Sequence, residues 1–241
     1  MLLVAPAAAQ VEERVPPPRT RYLGRTIAQT MHFAGAPWLV RDSREREEEG
    51  SKLLAALDLK PGQVVCDLGC GNGYYTLKMA GKVMPTGRVV AVDVQQEMLD
   101  MLAERAEARG VTNIETIRGE YHDPRLRPGE LDLVLLVDVY HEFSHPPEML
   151  AAIRQSLKPE GRVALVEFRA EDRGVPIKPL HKMTQQQCMK EFSANKFKLV
   201  GQYDELPWQH VLFFARDDAT TAAQPLVKWN KPAESRGESG N

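Results

Sequence analysis

The run Val64-Val65-Cys66-Asp67-Leu68-Gly69-Cys70-Gly71-Asn72-Gly73 is apolar, turns on alternate glycines and leads into a helical pattern. Glycines at that spacing let the backbone bend tightly and let a ligand approach the main chain with no Cβ in the way. The amides at the start of the following helix favour an anionic group. Asp67, two residues before the first glycine, is ill placed beside a pyrophosphate and suits a cationic or hydroxylic ligand. Tyr74 stands where G-x-G-x-x-G would have its third glycine, so the dinucleotide-binding fingerprint is incomplete. Asp93 closes the apolar run Arg88 to Val92, 20 residues after Gly73. A carboxylate there can accept two hydrogen bonds from a ribose diol, or it can cap the next helix.

A second polar group, Asp138-Val139-Tyr140-His141-Glu142-Phe143, follows the apolar Val134-Leu135-Leu136-Val137. Its side chains are expected at the C-terminal edge of a sheet, where open α/β folds bind ligands. His141, with an ordinary imidazole pKa of about 6.5, is the best base candidate, with Asp138, Tyr140 and Glu142 as alternatives on an extended segment. A purely structural hydrogen bond accounts for His141 equally well. Cys66, Cys70 and Cys188 are too few for a disulfide framework, and no histidine or further cysteine follows Cys66 and Cys70 at zinc spacing. No metal is expected.

The elements that must position these groups follow from hydrophobic periodicity. Short apolar runs alternate with helical patterns: strand 64–68, helix 73–81, strand 88–93, helix 95–109, strands 113–117 and 131–138. This is the rhythm of parallel βαβ units. A helix with Pro146 or Pro147 in its first turn carries Met149, Leu150, Ile153 and Leu157, then stops at Lys158-Pro159-Glu160-Gly161 before strand 162–168. Thr184 can cap a helix to about residue 194, and strands 197–203 and 210–216 close the fold. Residues 42–58 read as one amphipathic helix opened by a capping box at Asp42 to Glu45.

The glycine turn and Asp93 resemble the class I S-adenosylmethionine methyltransferases, whose first motif is an acid followed by G-x-G-x-G at the end of the first strand. The resemblance covers about residues 60–216. It implies a Rossmann-like, doubly wound α/β fold with a mostly parallel seven-stranded sheet and helices on both faces, and S-adenosylmethionine as cofactor. It implies that Gly69, Cys70, Gly71 and Gly73 pack against the methionine part, that Asp67 helps anchor its amino group, and that Asp93 holds the ribose. Gly119-Glu120-Tyr121-His122-Asp123 stands where the family has its adenine-contacting loop, without the usual G-D-A. Glu120 or Asp123 could bind the exocyclic amine and Tyr121 could stack on the ring; solvated turn residues explain the segment as well. The segment with Asp138 and His141 flanks the reactive methyl group in the family, which makes both candidates for catalysis and Asp138 also for cofactor contact. Leu157-Lys158-Pro159-Glu160-Gly161 resembles the family's L-K-P-G-G turn, with Glu160 replacing one glycine. The overall pattern is closest to small-molecule enzymes of the quinone and arsenite methylating type.

The whole chain sets the remaining bounds. With 241 residues, 43% hydrophobic and 27% charged, it can bury one substantial core. The expected division is a signal-like or unstructured segment 1–20, a helical extension 21–60 over the site, the cofactor-binding domain 61–216 and a disordered tail 217–241. A formal net charge of -2 exerts no overall pull on nucleic acid, and no apolar run approaches the roughly 20 residues of a membrane span. Ala7-Ala8-Ala9-Gln10 matches the cleavage end of a secretory signal whose basic start is missing, leaving a cytoplasmic and an exported location open. The expected partner is a small-molecule methyl acceptor; no nucleic acid is expected, and oligomeric state is not legible. Residues 20–42, with Tyr22, Met31, His32, Phe33 and Trp38, and the loop 169–183, with Arg169, Lys178, His181 and Lys182, are expected to cover its pocket. A nicotinamide-dependent oxidoreductase, disfavoured by the glycine spacing and Asp67, and a catalytically silent cofactor-binding module are the competing readings.

Overall fold

The computed structural model describes residues 15–231; the signal-like stretch through Gln10 lies outside them. A short hairpin of β1 (Arg21–Tyr22) and β2 (Arg25–Thr26) precedes three short helices, α1 (Ala36–Leu39), α2 (Arg44–Glu48) and α3 (Gly50–Ala56). Then β3 (Val64–Leu68), α4 (Tyr74–Val83), β4 (Arg88–Asp93), α5 (Gln96–Glu107), β5 (Ile114–Arg118) and β6 (Leu131–Val137) alternate as the periodicity predicts. The rest is α6 (Pro146–Ser156), β7 (Leu157–Phe168), α7 (Gln185–Ala194), β8 (Phe197–Tyr203) and β9 (Gln209–Arg216).

The seven-stranded sheet has the order β5-β4-β3-β6-β7-β9-β8. The first five strands pair in parallel, and β9 joins β7 and β8 in antiparallel fashion. Strand β6 is apolar from Leu133 to Val137 because both its faces are covered there. Val134 and Leu136 pack on one side with Cys66, Val90, Val163 and Leu165, while Leu133 and Leu135 pack on the other with Val65, Val89, Ala164 and Val166. The two cores are thus divided by the period-two alternation of the strand. Helix α7 is capped as the sequence predicts, with the Thr184 side chain accepting from the Gln187 amide.

Two expectations need correction. Residues 42–58 do not form one helix: the chain breaks at Glu49, which takes a left-handed φ of 48°, and Ser43 makes no side-chain cap. The buried pair Arg44 and Glu48 explains the break, since it faces inward while Leu53, Leu54 and Leu57 must also reach the core. The described part of the tail, residues 217–231, packs along the body of the protein. Gln224 donates to the Leu199 carbonyl, Val227 to Gln202, and the Trp229 ring lies 4.5 Å from the Arg169 guanidinium. It follows polar groups of β8 without a regular element of its own, which composition alone does not reveal.

The N-terminal segment crosses the C-terminal edge of the sheet. Arg19 donates to the Ser144 carbonyl and Ala28 to the His141 carbonyl, and Arg25 pairs with Glu191 at 2.7 Å. Opposite it, the loop 169–183 is closed at its base by the Arg169–Met183 bridge. No helix of the described residues is long and apolar enough to cross a membrane.

Candidate active site

A cavity of about 580 Å³ opens at the C-terminal ends of β3, β4 and β6, within the size range of small-molecule sites. Gly69, Gly71, Asp93, Glu120, Tyr121, Asp138 and His141 all line it. Asp67, Cys70 and Gly73, expected to touch the cofactor, do not. Asp67 is buried behind the turn and accepts from Thr76 Oγ1 at 2.5 Å. Burial pushes its carboxyl up to about 6, more than the Thr76 hydrogen bond and the Arg44 charge hold it down. Gly73 is needed by packing: its φ is 84° and a Cβ would come within 2.2 Å of Leu102.

Main-chain amides and one carboxylate build the end of the cavity at the glycine turn. The amides of Gly69 and Cys70 both donate to the Val92 carbonyl, at 2.8 and 3.0 Å, which folds the turn over the end of β4. Asp93 then accepts from the Gly71 amide through one oxygen and from the Gln95 amide through the other, each at 2.9 Å. Asp93 is therefore both a wall of the cavity and the pin of the turn. Burial raises its pKa against those hydrogen bonds. Gln95 in turn accepts from the Phe33 amide and donates to the Met31 carbonyl, fixing the covering segment. Arg44 and Glu48, which fall within the expected helix 42–58 and have no expected role there, also line this cavity, paired at 2.8 Å. Tyr121 stands on the rim, and the Glu120 carboxylate is engaged by Arg125.

The other end is built from side chains. Asp138 has a left-handed φ of 50°, accepts from Gln209 Nε2 at 2.6 Å and keeps its Oδ1 buried without a protein partner. Burial, with the charges of Glu48 and Glu167, pushes its carboxyl well above the usual range. His141 is 2% exposed, and its Nδ1 lies 2.7 Å from Glu167 Oε2, so Nε2 faces the cavity. Burial opposes charge on this ring, but Glu167 outweighs it and the pKa is raised. Burial likewise raises Glu142, to about 7, against the pull of His141. His181, from the loop, brings Nδ1 to 3.0 Å from His141 Nε2.

Of the covering residues expected from the sequence, Met31, Trp38, Lys178 and His181 line the cavity. Tyr22, His32, Phe33, Arg169 and Lys182 do not: Arg169 is buried against the carbonyls of Asp204, Leu206, Pro207 and Gln209, and Lys182 binds the Val175 carbonyl. Glu167 and the approach of His181 to His141 were not foreseen. The alternation of β7 places Glu167 near the edge beside β6, but only the fold brings the two strand ends together.

A family profile described as a methyltransferase domain matches residues 59–221. The chain belongs to this methyltransferase family. Its fold is that of the class I S-adenosylmethionine-dependent methyltransferases, and S-adenosylmethionine is the cofactor that goes with it. A solved structure of a SAM dependent methyltransferase from Aquifex aeolicus superposes with a TM-score of 0.72 at 22% identity, covering 77% of this chain and 98% of that one. A nocamycin O-methyltransferase of Saccharothrix syringae is 32% identical over 114 residues, 47% of this chain and 41% of the relative. A demethylmenaquinone methyltransferase of Lactobacillus johnsonii is 27% identical over 151 residues, 62% of this chain and 59% of the relative. The chain thus spans about half the length of these two curated relatives. The nicotinamide-dependent alternative finds no support among these matches.

Proposed function

We propose that the methyltransferase moves the methyl group of S-adenosylmethionine to a small-molecule acceptor held beneath residues 27–48 and 169–183. The observation that carries this reading is that the Asp93-pinned glycine turn and the Glu167-oriented His141 open into one cavity. Each oxygen of Asp93 keeps a second lone pair for a ribose hydroxyl while it holds its backbone amide. The part of the cavity lined by Val94, Met98 and Pro124, with Glu120 and Tyr121, takes the adenine. Arg44 and Glu48 offer the two charges that the zwitterionic methionine end needs, while Asp67 adds negative potential from behind the turn.

The sulfonium already activates the methyl group, so the protein aligns an acceptor for in-line attack and, where required, removes its proton. His141 Nε2 is the group oriented for that proton, with Glu167 holding the ring in one tautomer. The small-molecule size of the cavity and the names of the two curated relatives, a nocamycin and a demethylmenaquinone methyltransferase, support a small acceptor. A transfer assay with methyl-labelled S-adenosylmethionine over phenols, quinols, amines and thiols tests it. Label should pass to at least one small acceptor. Cofactor binding without transfer to any acceptor class would favour a silent binding module instead.

A further inference from the structure

We propose that His141, Glu142 and His181 form a site for one divalent first-row metal ion, which holds the acceptor through two neighbouring oxygen atoms. The ion site stands on geometry alone; its use in catalysis rests on the methyl-transfer reading above.

His141 Nε2, His181 Nδ1 and Glu142 Oε1 lie 3.0, 3.8 and 3.9 Å apart. A triangle with those edges fits a circle of radius about 2.1 Å, which is the bond length of zinc to imidazole nitrogen and carboxylate oxygen. His141 carries the supporting contact that metal-binding histidines have: its Nδ1 side is committed to Glu167 at 2.7 Å, and Nε2 is left to a ligand. Without an ion, His141 Nε2 accepts from His181 Nδ1–H. An ion takes the place of that one proton. Glu142 and Glu167 also place two formal negative charges beside the two rings, which a dication offsets.

Two imidazoles and one carboxylate suit zinc, iron(II), cobalt(II) or manganese(II) better than magnesium, which prefers oxygen ligands throughout. Three protein ligands leave positions open toward the cavity. At bonds of about 2.2 Å the ion rises roughly 0.7 Å out of the donor plane toward the cavity, and an acceptor with a hydroxyl beside a carbonyl or a second hydroxyl fills two positions on that face. A metal-bound hydroxide takes the hydroxyl proton and leaves as water. The acceptor oxygen then forms its bond to the methyl carbon, the C–S electron pair returns to sulfur, and rebinding water releases one proton to solvent. His141 is then a ligand rather than the base, and His181 ties the covering loop to the bound acceptor.

The test uses the full chain stripped with chelator and titrated with cobalt(II), followed by visible absorption, and with zinc by calorimetry. One ion per chain is expected, with affinity reduced by about tenfold or more in His181→Ala and in Glu167→Gln. His181 is one-third exposed, so its removal leaves the core intact. Failure of either ion to saturate the protein below about 1 mM, or unchanged affinity in His181→Ala, overturns the site. Catechol should shift the cobalt spectrum where phenol does not; an equal response to both overturns the two-oxygen acceptor. S-adenosylhomocysteine binding is measured in parallel, because its absence sinks the methyl-transfer reading while leaving ion binding to be judged separately. Undiminished methyl transfer after chelation overturns the catalytic use of the ion and leaves the methyl-transfer reading standing.

Discussion

The two ends of the cavity are made in different ways. The glycine-turn end is local at its centre: Gly69, Gly71, Asp93 and Gln95 lie within two consecutive βα units and are joined by main-chain amides donating to the Val92 carbonyl and the Asp93 carboxylate. The end proposed to hold the acceptor draws His141 and Glu142 from beyond β6, Glu167 from β7, His181 from a loop and a cover from the N-terminal segment. A site of backbone amides keeps its shape under many side-chain changes. A site of convergent side chains can change its chemistry without disturbing the turn. The comparison teaches that cofactor and acceptor binding should be separable by mutation.

The sharpest break in that symmetry is His141→Ala, which should lower kcat by about 10²–10⁴-fold with the true acceptor while cofactor binding persists. The variant leaves Glu167 buried with only the main-chain amide of residue 141 as a partner, so it must be assayed below its reduced melting temperature. An unchanged kcat would remove His141 from the chemistry.

The turn end carries its own tension, and Asp67 measures it. Its folded-state carboxyl, pushed to about 6, loses its proton later than in the unfolded chain. Its contribution to stability is therefore full below about pH 4, falls as the pH rises through 6, and amounts to roughly 3 kcal/mol. In the ligand-free protein Asp67→Asn, which can still accept from Thr76, should raise the melting temperature at pH 8 and not at pH 4. Equal effects at both pH values would show that Asp67 is not held against its charge.

How far the sequence reveals these two ends follows from their construction. Val64–Leu68 and Arg88–Asp93 coincide with the predicted strands, because continuous apolar runs bounded by glycines and charges leave no other assignment. Gly69, Gly71 and Asp93 are legible because their spacing along the chain is their spacing in the site. Asp67, Cys70 and Gly73 belong to the same motif yet stand behind the wall, a distinction set by side-chain direction and the close approach of Leu102. The meeting of His141 with His181 joins chain segments 40 residues apart and depends on the course of a loop. The buried Arg44–Glu48 pair reads as surface charge until the break at Glu49 turns it inward.

The smallest effect is expected at the tail. Trp229→Ala removes the ring over Arg169 and should destabilise the chain by about 0.5–1 kcal/mol in thermal melts, with cofactor affinity untouched. A loss of cofactor affinity in this variant would couple the loop's anchorage to the glycine-turn end and contradict the separation.

Calorimetric titration of S-adenosylhomocysteine into the wild type, Asp93→Ala and His141→Ala tests the division most directly. The two-ended site predicts one binding event per chain, weakened by more than about tenfold in Asp93→Ala, where hydrogen bonds to a buried carboxylate are lost, and altered by less than about threefold in His141→Ala. No binding to the wild type, or equal weakening in the two variants, would contradict it.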